Sequence, residues 1–163
     1  MLLCIDVGNT DTKLGFFGVP SSGLGLEMVA DWRVTTERKR TYDEYGVLFA
    51  ALFKEADIAL GAVRAIAMSS VVPQADRDLR EGCKRYFKVE PLLLSARTQR
   101  VMEVRTERPM ELGADMLAAA IGARGKYGVP AIVIGYGTAT TFSAVSRDGA
   151  FLGTAIAPGI QIS

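Results

Sequence analysis

The sequence predicts an α/β fold. Short apolar runs bounded by glycine, proline and small polar residues recur along the chain, which is how strands read. Longer segments between them read as helices, the first with a capping-box start and its apolar residues on one face. Three strands come first as a group, and strands and helices then alternate, the order of a sheet with helices crossing it.

Each element has its own signal. Strands are expected at Leu2–Val7, Lys13–Phe17 and Met28–Val34, with the turn-rich Gly18-Val19-Pro20-Ser21-Ser22-Gly23 separating the last two. A helix should run from Tyr42 to about Ala56. Thr41 is its cap and Glu44 stands three residues on, while Tyr45, Leu48, Phe49, Leu52 and Phe53 share one face. Ala65–Ser69 reads as a strand, and Pro73 opens a helix through Tyr86, proline being tolerated in the first helical turn. Pro91–Leu94 is a short strand, and a further helix should start near Met110 and end by Gly128. Three more strands follow, at Ile132–Ile134, Thr140–Val145 and Leu152–Ile156.

Composition narrows the function classes. Nineteen basic and eighteen acidic residues nearly cancel, which argues against a general nucleic-acid binder. The clusters Arg38-Lys39-Arg40 and Arg97 to Arg100 read as solvated loops. No stretch is apolar and uncharged for the ~18 residues a membrane span needs. The start reaches Asp6 too soon for a secretory signal, so a cytoplasmic chain is expected. Cys4 and Cys83 are too few for a disulfide framework or a zinc site and read as buried thiols. With no histidine in the chain, any proton acceptor must be a carboxylate, lysine, tyrosine or cysteine.

Two strand–turn–strand units carry candidate chemistry. In the first, Asp6-Val7-Gly8-Asn9-Thr10 follows Leu2-Leu3-Cys4-Ile5. Gly8 allows close approach of a phosphate, and turn N–H groups with Asn9 and Thr10 can donate to its oxygens. Asp6 suits a hydrated Mg²⁺, which takes few protein carboxylates, and Lys13 adds a positive charge. The same Gly8-Asn9 pair also suits a plain hairpin turn. In the second unit Gly135-Tyr136-Gly137-Thr138-Ala139-Thr140-Thr141 follows the apolar run Val129 to Ile134. Two such units in one chain point towards paired phosphate loops facing each other across a cleft.

The motifs occur in a telling order. Asp6 to Thr10, Ser69-Ser70-Val71-Val72-Pro73, Glu111-Leu112-Gly113-Ala114-Asp115, Gly137-Thr138-Ala139-Thr140-Thr141-Phe142 and Ala157-Pro158-Gly159-Ile160 succeed one another. Trp32-Arg33, Thr41, Asp43, Glu44 and Tyr45 stand between the first two. In this succession the chain resembles the type III pantothenate kinases, members of the sugar kinase, heat-shock chaperone and actin superfamily, over nearly its whole length. The resemblance implies a ribonuclease-H-like domain over residues 1–128, closed by the helix near 110–128, and the start of an incomplete second copy over 129–163. Ser163 falls where that likeness calls for the second copy's helices, so its strands would leave an apolar face in need of cover.

What the resemblance implies for function is ATP-dependent phosphorylation of pantothenate to 4′-phosphopantothenate, the opening step of coenzyme A biosynthesis. Asp115 would take the proton of the pantothenate hydroxyl, and Gly113 and Ala114 would bind the substrate beside it. Asp6, Gly8, Asn9, Thr10, Lys13, Gly137 and Thr138 would hold the phosphates of ATP, with Mg²⁺ at Asp6. The predicted first turn of a helix is a place where the dipole favours the charge of Asp115, and such a carboxylate also serves simply to stabilise a helix. Family members work as dimers with K⁺ or NH₄⁺ present. Three positions depart from the family pattern. Met116 replaces an arginine suited to the pantothenate carboxylate, Gly135 replaces an aspartate of the monovalent-cation site, and Thr106 replaces a substrate-contacting tyrosine. The expected function is a kinase subunit in a homodimer or in a heterodimer with a second family-like chain. The alternative is a non-catalytic or regulatory homologue partnering a complete kinase.

Overall fold

A computed structural model describes residues 1–20, 23 and 25–159. The chain forms two compact units, Met1–Leu93 and Leu94–Ser163. The first is a five-stranded sheet with two helices. Its strands are β1 (Leu2–Val7), β2 (Asp11–Gly18), β3 (Glu27–Thr35), β4 (Ala65–Ser70) and β5 (Leu92–Leu93), in the order β3-β2-β1-β4-β5. β1, β2 and β3 pair antiparallel, whereas β4 and β5 run parallel to β1. Helices α1 (Tyr42–Glu55) and α2 (Pro73–Phe87) make the crossovers that parallel pairing demands.

Alternation along β1 sets the core. Leu3, Ile5 and Val7 are buried, while Cys4 and Asp6 stand on the opposite face of the pleat and are only partly covered. The buried face packs with Phe16, Ile66 and Met68 of the neighbouring strands against Phe49 and Phe53 of α1 and Leu79, Cys83 and Phe87 of α2. Aromatic rings tie these layers together. Phe53 meets Phe16 edge-on at 5.3 Å and stacks on Trp32 at 5.1 Å, while Phe49 lies 4.9 Å from Phe87. The α1 capping box forms as its sequence specifies: the Thr41 N–H donates to Glu44 Oε2 at 2.7 Å and the Glu44 N–H to Thr41 Oγ1 at 3.4 Å.

The second unit is the antiparallel sheet β6 (Ala131–Tyr136), β7 (Ala139–Val145) and β8 (Phe151–Pro158) with helix α3 (Ala114–Tyr127). Leu117 and Ala120 of α3 pack on Ala131, Val133, Val145 and Phe151. One face of this sheet is therefore covered by a helix that the sequence assigns to the preceding domain. The other face is bare: Ile132, Ile134, Tyr136, Phe142 and Leu152 are all exposed.

Element limits shift in instructive ways. β2, β3 and β6 extend beyond their apolar cores into polar or glycine ends, and β8 takes in Phe151, Ala157 and Pro158, because ladder hydrogen bonds continue past the expected limits. The third helix begins at Ala114, not near Met110. Pro109–Glu111 instead form a single 3₁₀ turn, and Leu112 and Gly113 are extended before α3 starts. Cys83 is fully buried, whereas Cys4 is only partly so, since it lies on the sheet face away from the helices. Of the expected turn before β3, Ser21 and Ser22 lie outside the described residues.

Candidate active site

The candidate residues fall in three places, one in the first unit and two in the second. In the first unit, β1 ends and β2 begins around the tip Gly8-Asn9-Thr10. The Gly8 N–H donates to Asp11 O at 3.0 Å, so that amide is used in closing the turn rather than left for a ligand. Gly8 has no left-handed backbone; what it supplies is room, because a Cβ there would lie 3.1 Å from Asp11 O. Thr36, just past β3, braces the tip. Its Oγ1 donates to Gly8 O at 2.7 Å and lies 2.9 Å from Thr12 Oγ1, and its N–H reaches Thr10 O at 2.9 Å. Asn9 and Thr10 stay exposed, with Arg38 reaching Asn9 Oδ1 at 3.4 Å.

Register places a row of polar residues across this sheet. Asp6 is opposite Lys13 on β2 and Ser69 on β4, and Lys13 is opposite Arg33 on β3. Facing residues in a ladder share a face, so Arg33, Lys13, Asp6 and Ser69 lie side by side on the face away from α1 and α2. Arg33 is drawn towards Asp11, 3.6 Å away. Lys13 is exposed and makes no ion pair among the described residues, which leaves its charge available. One carboxylate, Asp6, would suit a hydrated Mg²⁺, which takes few protein ligands. No group of three metal-ligating side chains occurs among the described residues, as a chain-only cage would require.

In the second unit, β6 and β7 turn at Gly137-Thr138, where the Gly137 N–H donates to Ala139 O at 3.1 Å. Thr138 is exposed at the tip. Gly159 lies directly behind it: a Cβ on Gly159 would overlap the carbonyl oxygens of Gly137 and Thr138 and come within 2.7 Å of the Thr138 carbonyl carbon. Backbone cannot swing aside as a side chain does. Gly159→Ala should therefore destabilise this hairpin by about 1–3 kcal/mol, the cost of overpacking. Denaturant unfolding of the purified variant checks this, and an unchanged midpoint would mean that residue 159 has slack around it. Gly135 faces Thr141, whose Oγ1 would lie 2.7 Å from an added Cβ. A side chain at this position would therefore require the Thr141 hydroxyl to turn aside.

The third place is the start of α3. Gly113 caps the helix, Ala114 is buried and Asp115 stands exposed in the first turn. Asp115 Oδ1 accepts from the Met116 N–H at 2.8 Å. A Cβ on Gly113 would lie 2.6 Å from that same oxygen and 2.9 Å from the Met116 methyl. In Gly-Ala-Asp the glycine leaves room for the carboxylate, the alanine is buried, and the carboxylate faces outward. Met116 is partly buried beside it, and Thr106 keeps a buried Oγ1 with no hydrogen-bond partner among the described residues. Burial pushes the Cys83 thiol up to about 12 and raises Cys4 and Tyr45 as well.

A family model described as type III pantothenate kinase matches residues 2–163. The chain belongs to the type III pantothenate kinase family. A family member from Acidobacterium capsulatum is 42% identical over 163 residues, which is all of this chain and 60% of the relative. One from Koribacter versatilis is 45% identical over all of this chain and 61% of its own length. The chain therefore spans about three-fifths of the curated relatives it matches. The fold is similar to the type II variant of the Aquifex aeolicus Ppx/GppA phosphatase, at a TM-score of 0.56 and 14% identity, over 98% of this chain and 53% of that one. That agreement shows a shared fold and nothing finer. Among residues that sequence reasoning left without a role, Thr36 and Gly159 shape the two hairpin tips and Ser69 lies beside Asp6. Period-two alternation along 65–70 already sets Ser69 on the face opposite Met68, but its neighbour depends on pairing with β1.

Proposed function

We propose that this chain is a subunit of a type III pantothenate kinase, transferring the γ-phosphoryl group of ATP to the primary hydroxyl of pantothenate to give 4′-phosphopantothenate and ADP. The observation that supports this most directly is the exposed Asp115 carboxylate, held at the start of α3 by the Met116 N–H and given room by Gly113. In the reaction the hydroxyl oxygen forms a bond to the γ-phosphorus as the bond to the ADP oxygen breaks. Asp115 orients the hydroxyl and takes its proton late, which suffices for a loose transition state. Gly113 and Ala114 form the backbone on the acceptor side. Lys13, Asn9 and Thr10 meet phosphate oxygens at the first hairpin, Gly8 lets them approach, and Gly137 and Thr138 do the same at the second. Mg²⁺, held by Asp6, supplies charge neutralisation on the phosphates.

The departures assign part of the work to a partner. Met116 cannot bind the pantothenate carboxylate, so a cation from a second subunit takes that part. Gly135 contributes no ligand to K⁺ or NH₄⁺, and any monovalent site is completed by other groups. The bare face of β6, β7 and β8 is where a homologous subunit packs, in a homodimer or a heterodimer, through an interface of about 2,000 Å² or more. The first ribonuclease-H-like domain is taken as 1–128 in chain order, and the second as beginning at 129. No helix among the described residues is long and apolar enough to cross a membrane, and the cytoplasm is the proposed compartment.

A coupled ADP-release assay with K⁺ or NH₄⁺ tests the reading. The chain alone should show no pantothenate-dependent turnover, and the chain with a complete homologue should show it. Robust turnover by the chain alone would mean that the three departures are compensated locally. Silence from both would remove the kinase reading.

A further inference from the structure

The segment Ser69-Ser70-Val71-Val72-Pro73 joins β4 to α2, and all of it but one residue has a task within the first unit. Val72 is in the core, and Pro73 opens α2 where no N–H is needed. Ser70 Oγ accepts from the Val72 N–H at 3.1 Å, and the Val71 N–H donates to Val7 O at 3.0 Å. Ser69 is the exception. It is only 8% exposed, and its Oγ is buried with no hydrogen-bond partner among the described residues. An unpaired buried hydroxyl is destabilising, and native proteins leave few of them. Alanine at this position would avoid that cost, so the hydroxyl calls for an explanation outside folding.

Its neighbour provides one. Parallel pairing sets Ser69 against Asp6, and alternation sends both away from the core formed by Ile5, Val7 and Met68. Lys13 flanks Asp6 on the other side. The carboxylate thus has a cation on one side and an unspent hydroxyl donor on the other. We propose that Ser69 is a positioning residue for Asp6, its hydroxyl donating to the carboxylate when that carboxylate holds the hydrated Mg²⁺ of the nucleotide. A carboxylate has about four acceptor positions, so it can serve the ion's water and the hydroxyl at once. The hydrogen bond fixes which way the carboxylate points, as outer-shell partners of metal ligands do. This inference rests on the nucleotide reading of the Asp6 hairpin and adds to it the residue that aims the ligand.

The test is titration calorimetry of a non-hydrolysable ATP analogue at stepped Mg²⁺ concentrations, using the full chain in the assembly in which it purifies. Ser69→Ala should need roughly tenfold more Mg²⁺ for half-maximal binding, the lower end of the usual effect of such partners. Its affinity without Mg²⁺ and its thermal midpoint should match the parent or, for the midpoint, exceed it. Ser69→Thr, which keeps the hydroxyl, should restore the parent's Mg²⁺ requirement. An unchanged Mg²⁺ requirement in Ser69→Ala, alongside a lost one in Asp6→Asn, overturns the role of Ser69 and leaves the nucleotide site standing. A lowered thermal midpoint in Ser69→Ala with normal Mg²⁺ dependence overturns it too, in favour of a structural hydroxyl. Unaltered binding by Asp6→Asn, or no binding by the parent, removes the nucleotide reading and the proposal with it.

Discussion

Asp115→Asn is expected to reduce pantothenate-dependent ADP release by about 10²–10⁴-fold, the usual contribution of a positioned proton acceptor. The substitution is chosen because the amide keeps the shape of the carboxylate. Its oxygen can still accept from the Met116 N–H, as Asp115 Oδ1 does at 2.8 Å, so the first turn of α3 should survive. The residue is exposed, and no core contact is lost. What disappears is the capacity to take a proton and the negative charge that orients the hydroxyl. Nucleotide binding should be unaffected, which separates loss of chemistry from loss of the site. In an assembly with a homologous partner, the matching aspartate there must be altered separately, since each would report on its own site. Turnover equal to the parent in both single variants would show that the carboxylate is only a helix-start residue.

Asp6→Asn is expected to remove the Mg²⁺-dependent part of nucleotide binding. Hydrogen bonds to charged groups contribute about 1.5–3 kcal/mol, so the loss should be roughly 10–100-fold in affinity. Asp6 lies on the sheet face away from the core cluster, and its ladder pairing with Lys13 and Ser69 is made by backbone. The fold should therefore be little changed, and circular dichroism and thermal melting serve as controls. Calorimetry with a non-hydrolysable ATP analogue, with and without Mg²⁺, decides it. Equal affinity for variant and parent would take Asp6 out of the site and leave Lys13 and the hairpin tip without their central charge.

The positions of the three candidate segments within the elements were largely legible in the residues. Asp6 at the end of an apolar strand, Asp115 in a helix start and Gly137-Thr138 between two strands are local patterns, and local geometry places each where its pattern says. The start of α3 was less legible. Met110 and Glu111 are good helix residues, but Pro109 engages them in a 3₁₀ turn and extended Leu112 and Gly113 separate it from the helix. Strand ends were also less legible, because Asp11, Gly18, Glu27 and Thr35 carry no apolar signal and join the ladder only through backbone hydrogen bonds.

The sequence by itself determined the α/β class and the Thr41–Glu44 cap, since each is written in short-range spacing or residue type. Only the tertiary structure decided that Ser69 stands beside Asp6, that Gly159 backs the Gly137-Thr138 tip, and that α3 covers one face of β6 to β8 while the other stays bare. These depend on which distant strands pair and in what register. Alternation tells a residue its face, but a partner across the sheet is chosen by backbone hydrogen bonding and core packing summed over the whole unit.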